Sequence, residues 1–430
     1  MERVPAIVYE KRTIRPGHDP GERFALFSLG EKEVPMIRSM TRLALAALVV
    51  AVAIGGITPS AAQTVKFTPL GVECGPAFFP RLCVVDMSGD GQTLLFEDRV
   101  WTAGGQVLMI GAPPSGYYEV TALSDDGSTV VGNIYVTDGP LAPHLEAAIW
   151  LGGNEWRPLG YLPGSGPCGD NLTSAFDVSG DGSKVVGLAW LAPDCSDTAH
   201  GFQWTEETGM VDLGSIVDGR ASRGNAISAD GNVIAGWSDA SFGGRLGAQI
   251  RNGGAWEWIT PDGEPIQAGE ALAVNSDGSL LVGGGYFDAS VSGPGAPAYE
   301  PWLWSEATGL IHLGTVKGLR GGIIDGQHYA NDVSDDGSVV IGFDTLFNLG
   351  ERWAFIWTKT GGIRMLQDYV RQYTDAATKA KICTAQRGPL QPCSKWDFAT
   401  PSAISNDGKI IVGTGRNPAG NWEAFKITLP

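Results

Sequence analysis

One short phrase occurs seven times along this chain, and no other feature narrows the possible fold so far. Its last copy is Ile404-Ser405-Asn406-Asp407-Gly408-Lys409-Ile410-Ile411-Val412-Gly413. The pattern is an apolar residue, Ser or Asn, one variable residue, Asp-Gly, then a run of β-branched or leucine side chains. Asp-Gly between such runs is a strong short-range hairpin signal, and it predicts a type I′ turn with positive φ at both central residues. The other copies place their glycine at Gly91, Gly127, Gly182, Gly231, Gly278 and Gly337. From Gly91 to Gly408 the mean period is about 53 residues.

Between these hairpins an aromatic-rich strand leads through a Gly turn into a short apolar strand. Examples are Phe202-Gln203-Trp204 before Gly209 and Trp302-Leu303-Trp304 before Gly309. One unit is thus four short strands, A to D. Repeated four-strand units bury their faces against one another in a β-propeller. The seventh unit stops at its third strand, Ala424-Phe425-Lys426-Ile427-Thr428-Leu429. A strand resembling the missing fourth, Val65-Lys66-Phe67-Thr68-Pro69-Leu70-Gly71, stands near the start. Pairing the two would close a ring and remove its exposed edges. The expected fold is all-β: one seven-bladed propeller of four-stranded blades over residues 63–430.

Residues 36–62 read as a secretory signal. Arg38 and Arg42 precede the apolar run Leu43–Ile57, and Ser60-Ala61-Ala62 supplies small residues for cleavage before Gln63. Residues 1–35 are polar and are read as a start-site artefact, with Met36 or Met40 the true start. Dropping 1–62 removes 8 of the 30 basic and 6 of the 47 acidic side chains, so the excess of acid rises from 17 to 19. Such a surface repels phosphate backbones, which argues against a nucleic-acid partner. The six cysteines fall into near-neighbour pairs, Cys74–Cys83, Cys168–Cys195 and Cys383–Cys393. Behind a signal, they suggest disulfides made outside the cytoplasm. The expected location is periplasmic or extracellular, with no integral membrane segment left after signal cleavage.

The phrase Ile404-Ser405-Asn406-Asp407-Gly408 with Ile411-Val412-Gly413 resembles the HAF-type bacterial extracellular repeats. So do Ala354-Phe355-Ile356-Trp357 with its Gly turn, and the ending Val412 to Phe425. The resemblance covers residues 65–430. It implies an exported bacterial protein with a propeller-like fold, and it brings no agreed activity and no catalytic residues.

Function is expected where the chain is irregular. The A–B and C–D turns are short and share one end of the blades. The B–C and D–A connections share the other, and nearly all length variation lies there, as in 188–199, 284–299, 314–328 and 367–401. Trp190, Trp237, Tyr286, Asp288, His328, Asp344 and Arg416 cluster at this end as candidate ligand contacts, with Asp239, Tyr329, Arg352 and Trp396 beside them. Aromatic faces beside carboxylates and arginine suit a sugar or peptide groove. Residues 364–380 read as a helix in the longest loop, with Leu366, Val370, Tyr373 and Ala377 as its apolar stripe, expected to lie across the ring mouth as a cap.

Asp86-x-Ser88-x-Asp90-Gly91 and its counterparts at Asp177 and Asp332 echo half of a Ca²⁺ loop. Four other copies carry Ala122, Ala226, Ala273 and Ala403 at the first position, so bonding to the turn backbone is the preferred reading and neither a metal nor another cofactor is expected. The sequence assigns no reaction. It supports a binding or interaction module for a glycan, cell-envelope or protein ligand. The rival is a carbohydrate-active enzyme, a glycoside hydrolase or polysaccharide lyase, using carboxylates on the same face.

Overall fold

A computed structural model describes residues 64–74, 82–191, 199–241, 244–259, 267–286, 299–316, 326–346, 351–384 and 393–430. They form a seven-bladed propeller of four-stranded antiparallel blades. The inner strands of blades 1 to 7 are Val84–Met87, Tyr118–Leu123, Thr173–Val178, Ser222–Ile227, Gln267–Val274, Gly326–Val333 and Asp397–Ile404. The leader and signal lie outside the described residues.

Every inner strand carries a bulge at the same place. In blade 3 the pairing skips Phe176 between Ala175 and Asp177, and the six other blades skip one residue at the equivalent step. A bulge tightens local twist and bends the strand, and here it drives the inner-strand carbonyl toward the second strand. In six of the seven blades a glycine stands opposite it, and a Cβ at Gly187 or Gly342 would sit 2.0 Å from the carbonyl oxygen of Ser174 or Tyr329.

The hairpin turn differs from the type I′ form that its Asp-Gly step suggests. Gly408 N–H donates to the Ser405 carbonyl at 2.7 Å. Only the glycine takes positive φ, between 63° and 73° across the seven copies. The reason is the preceding Ser or Asn. Ser405 Oγ donates to Asp407 Oδ1 (2.7 Å), and these two side chains accept the Ile410 and Lys409 N–H groups. That bonding holds Asp407 in ordinary right-handed space and gives a four-residue turn closed by a left-handed glycine. Asn275 with Asp277 reproduces it in blade 5.

A residue of each turn, the variable one in every blade but the second, joins the blades into a circle. Each blade donates a backbone N–H to the next: Gly89 to Asp125, Asp126 to Gly180, Gly180 to Ala229, Ala229 to Ser276, Asp335 to Asn406 and Asn406 to Gly89. At the fifth seam Ser276 N–H donates to Asp335 Oδ1 instead (3.0 Å). The seventh seam uses the same bond as the others, so the ring closes on itself. Strand pairing closes it a second time: the opening strand Lys66–Glu73 pairs antiparallel with Trp422–Thr428 and completes blade 7. The Cys74–Cys83 disulfide then ties that strand to the entry of blade 1.

The cores lie between neighbouring blades. One cluster joins Ile341, Ala354 and Ile356 of blade 6 to Phe67, Phe398 and Phe425 of blade 7. Helix α1 (Leu366–Tyr373) adds Leu366 and Val370 to this same cluster, and α2 (Ala376–Ala380) follows it. The helical segment therefore packs on the seam between blades 6 and 7, with Tyr373 and Ala377 facing solvent. Cys383–Cys393 closes the loop that follows. The remaining expected bridge has its Cys195 outside the described residues.

Candidate functional site

Two polar regions of the propeller differ in how their groups are used. The first is the central channel, about 230 Å³, walled by the turn-proximal halves of the inner strands. Three carboxyls set deep in its wall and partly accessible to it face the channel, Asp86, Asp177 and Asp332. Each one clamps two blades. Asp177 Oδ1 accepts from Val178 N–H and its Oδ2 from Ile227 N–H of the next blade, both at 2.8 Å. Asp86 reaches Leu123 and Asp332 reaches Ile404 in the same way. Burial pushes Asp86 and Asp332 up to about 7 and Asp177 well above the ordinary carboxylate range, against the opposing pull of the two N–H groups. Both oxygens of each carboxyl are thus taken up by the fold. Among the described residues no three His, Cys, Asp or Glu side chains are arranged to hold a metal ion.

The second region begins where the channel ends, at the loop side of blades 4 to 6. Arg223 stacks on the channel-lining Phe176 (4.9 Å) and bonds Glu270 (2.6 Å) and Asn225 (2.5 Å). Trp237, 4% exposed, lies between Arg223 (5.5 Å) and Arg245 (4.3 Å). From there a run of rings crosses to blade 6: Tyr286 to Tyr299 (5.1 Å), Tyr299 to Tyr329 (5.0 Å) and Tyr329 to Phe343 (5.5 Å). Arg352 covers Phe343 at 4.5 Å. Strand ends build this patch, because Arg223, Tyr329 and Arg352 sit near the starts of their strands and Tyr286 ends one. Two single-residue pairings at this end, Leu246–Gln267 and Tyr299–Gln327, link the three blades into one sheet.

Burial raises the Tyr299 and Tyr329 hydroxyls above the usual phenol range, and each lies near Glu270. These hydroxyls stay protonated and act as hydrogen-bond groups rather than bases.

The residues expected from sequence divide between this patch, its support and other blades. Tyr286, 41% exposed, and Trp237 belong to the patch, along with Tyr329 and Arg352. His328 and Asp344 are a buried pair (Nδ1–Oδ1 2.5 Å) directly beneath it, joining the first two strands of blade 6. Trp190 is half-buried at the strand end of blade 3, and Arg416 stacks on Trp422 (4.6 Å) in blade 7. Asp288 lies outside the described residues. The sequence pattern does not single out Arg223, Arg245, Glu270 and Tyr299. Superposing the units by strand would find them, since each occupies a loop-end position of an inner or third strand.

No family model matches the chain, and no curated protein matches it in sequence. The structure is similar to TolB from Agrobacterium tumefaciens (16% identity, TM-score 0.38, 59% of this chain and 88% of that one). It is also similar to TolB from Acinetobacter baumannii (14%, TM-score 0.39, 67% and 64%) and to oligogalacturonate lyase from Vibrio parahaemolyticus (12%, TM-score 0.45, 86% and 98%). At these identities and scores the likeness is one of fold, and it says nothing of what this chain does.

Proposed function

We propose that the protein is a recognition module, an exported propeller of the HAF repeat type that takes its ligand on the loop side of blades 4 to 6. One observation carries this reading. At the turn end the polar side chains bond one another and the backbone, whereas the loop end of these three blades gathers arginines and aromatic rings around a surface tyrosine. Binding is favoured over turnover because the buried tyrosines are poor bases and the channel carboxyls are held by backbone N–H groups. The two disulfides between described cysteines fit a periplasmic or extracellular site. No described helix is long and apolar enough to cross a membrane. A glycan or another cell-envelope component is the natural ligand for such a patch.

The test is to probe glycan and peptide arrays with the wild type, Tyr286→Ala and the turn-face variant Lys409→Ala. The expected result is binding lost in Tyr286→Ala and kept in Lys409→Ala. The reverse pattern would place the ligand on the turn face and overturn the reading.

A further inference from the structure

The fifth seam is where the ring departs from its own rule. There Ser276 N–H and Oγ both donate to Asp335 Oδ1 (3.0 and 2.7 Å), so a side chain stands where the other seams have a backbone bond. A cleft of about 640 Å³ opens at the turn end of the same blades. Its apolar wall belongs to the cluster shared by blades 5 and 6, with Leu303 and Trp357 buried and Leu280 and Ile311 partly buried. Arg251, the last residue of the third strand of blade 4, also lines it.

Another seam shows what such an arginine does when it is satisfied. Arg157 of blade 2 stacks on Trp204 of blade 3 (5.1 Å) and pairs with Glu206 (2.5 Å). Arg251 stacks on Trp304 of blade 5 (5.7 Å), and Glu306 follows Trp304 by two residues as Glu206 follows Trp204. Here the pair is not made. Arg251 Nε donates to Gln249 Oε1 (3.1 Å), its Nη2 has no hydrogen-bond partner, and it makes no ion pair among the described residues. The remaining charged groups of the wall are at its rim. Glu306 and Lys359 are exposed, and Asp336 Oδ1 accepts from Ser334 and Ser338 (both 2.8 Å).

A cleft of this size, mostly apolar with few polar groups, has the make-up of a small-molecule site. A guanidinium already set against a ring and one acceptor loses little freedom on meeting a carboxylate. We infer that this cleft is a second site, separate from the loop-side patch, for a small amphipathic carboxylic acid. Its carboxylate is received by Arg251, and its apolar body packs on Leu280, Leu303, Ile311 and Trp357.

The experiment is titration calorimetry of the full chain with naphthylacetate, indoleacetate and decanoate, each set against its primary amide. Expected are binding of at least one acid, a loss of about tenfold or more in its amide, and a similar loss in Arg251→Gln at unchanged melting temperature. Ile311→Asp on the apolar wall should weaken the acid as much, and since Ile311 is partly exposed this variant remains a test if Arg251→Gln fails to fold. Glu306→Gln should leave binding as tight or tighter. Amides that bind as well as acids would overturn the carboxylate. Failure of every acid to bind would overturn the site. Equal, non-additive destabilisation in Arg251→Gln and Glu306→Gln would then show the two closed into a pair like Arg157 and Glu206. Acid binding lost in Tyr286→Ala but kept in Arg251→Gln would move the ligand to the loop side and overturn the cleft as its place.

Discussion

The two ends of the same blades use their polar groups in opposite ways. At the turn end seven near-identical hairpins each bond a Ser or Asn to an Asp and both to the backbone, and a circle of seam bonds joins them. At the loop end of blades 4 to 6 the equivalent positions hold Arg223, Trp237, Arg245, Tyr329 and Arg352, which no repeat rule would place there. A scaffold is regular where its polar groups satisfy one another. Side chains that follow no repeat rule are the ones to test against a ligand.

The sharpest way to break this contrast is a glycine facing a bulge. A Cβ at Gly342 would meet the Tyr329 carbonyl oxygen at 2.0 Å and Phe355 Cζ at 2.4 Å. Both neighbours are buried among packed strands, so Gly342→Val should cost about 4 kcal/mol or more, or abolish folding. Denaturant titration measures it. Blade 1 shows why the rule is local: Phe96 stands at the equivalent place, but Val84–Phe96 is the last pair of its two inner strands and no longer ladder forces the close approach. A midpoint unmoved in Gly342→Val would mean that the bulges are incidental to the ring.

Within the repeated phrase itself, two aspartates four residues apart respond oppositely to their surroundings. Burial raises Asp177 and Asp332, whereas hydrogen bonds from Ser183, Ser338 and neighbouring backbone lower Asp181 and Asp336. The signs follow from linkage. A carboxyl raised in the fold stabilises fully below its unfolded value near 3.8 and loses that contribution as pH climbs through about 7. A lowered one contributes above the unfolded value and is lost only in stronger acid. Stability should therefore peak in mild acid and fall between pH 5 and pH 8, by an amount on the order of a few kcal/mol for the three channel residues together. Asp332→Asn keeps one acceptor and loses the other. Its destabilisation, about 1–3 kcal/mol at pH 5, should shrink toward pH 8, where the wild-type carboxyl has lost its proton advantage. Thermal melts across this range check both statements, and a wild type that gains stability from pH 5 to 8 would contradict them.

The ring and its count are legible in the sequence because the phrase repeats and its unit is long enough to be four strands. The missing final strand is legible at the other end of the chain for the same reason. The turn type is not, since Asp-Gly alone cannot show that the Ser two residues earlier binds the Asp side chain. Nor is the use of Asp86, Asp177 and Asp332: the phrase suggests that they bond only their own turn, but the bulge points each toward the neighbouring blade's N–H. The patch is half legible. Trp237, Tyr286, Tyr329 and Arg352 stand out as aromatic or charged residues beside long loops. Arg223, Arg245 and Glu270 are brought together only by the wrapping of one blade against the next, which composition does not record.

The closing seam offers an intermediate case. Seams 1/2, 3/4 and 6/7 carry the aspartate clamp, whereas the 7/1 seam has Ala403 at that position and uses Ser402 Oγ donating to Val84 O (2.7 Å) and the Cys74–Cys83 bridge. The bridge spans 9 residues of sequence. Replacing both cysteines with serine should cost about 2–3 kcal/mol, the usual range for a loop of that size. Reductant should lower the wild-type melting temperature and leave this seam's contribution unchanged in the variant. A variant as stable as the wild type would mean that pairing of Lys66–Glu73 with Trp422–Thr428 closes the ring unaided.

The smallest effect is expected at the surface tyrosine. Tyr286 is 41% exposed and its ring meets Tyr299 edge-on at 5.1 Å, one contact of a kind worth about 0.5–1.5 kcal/mol. Its backbone stays paired with Tyr299 whatever the side chain. Tyr286→Ala should therefore shift the unfolding free energy by no more than about 1 kcal/mol, against several for Gly342→Val, while it removes the surface ring of the patch. If Tyr286→Ala instead unfolds the protein as readily as Gly342→Val, the aromatic run across blades 5 and 6 is a structural spine. The side chains of the loop end would then be held by the fold no less than those of the turns, and the difference between the two ends would vanish.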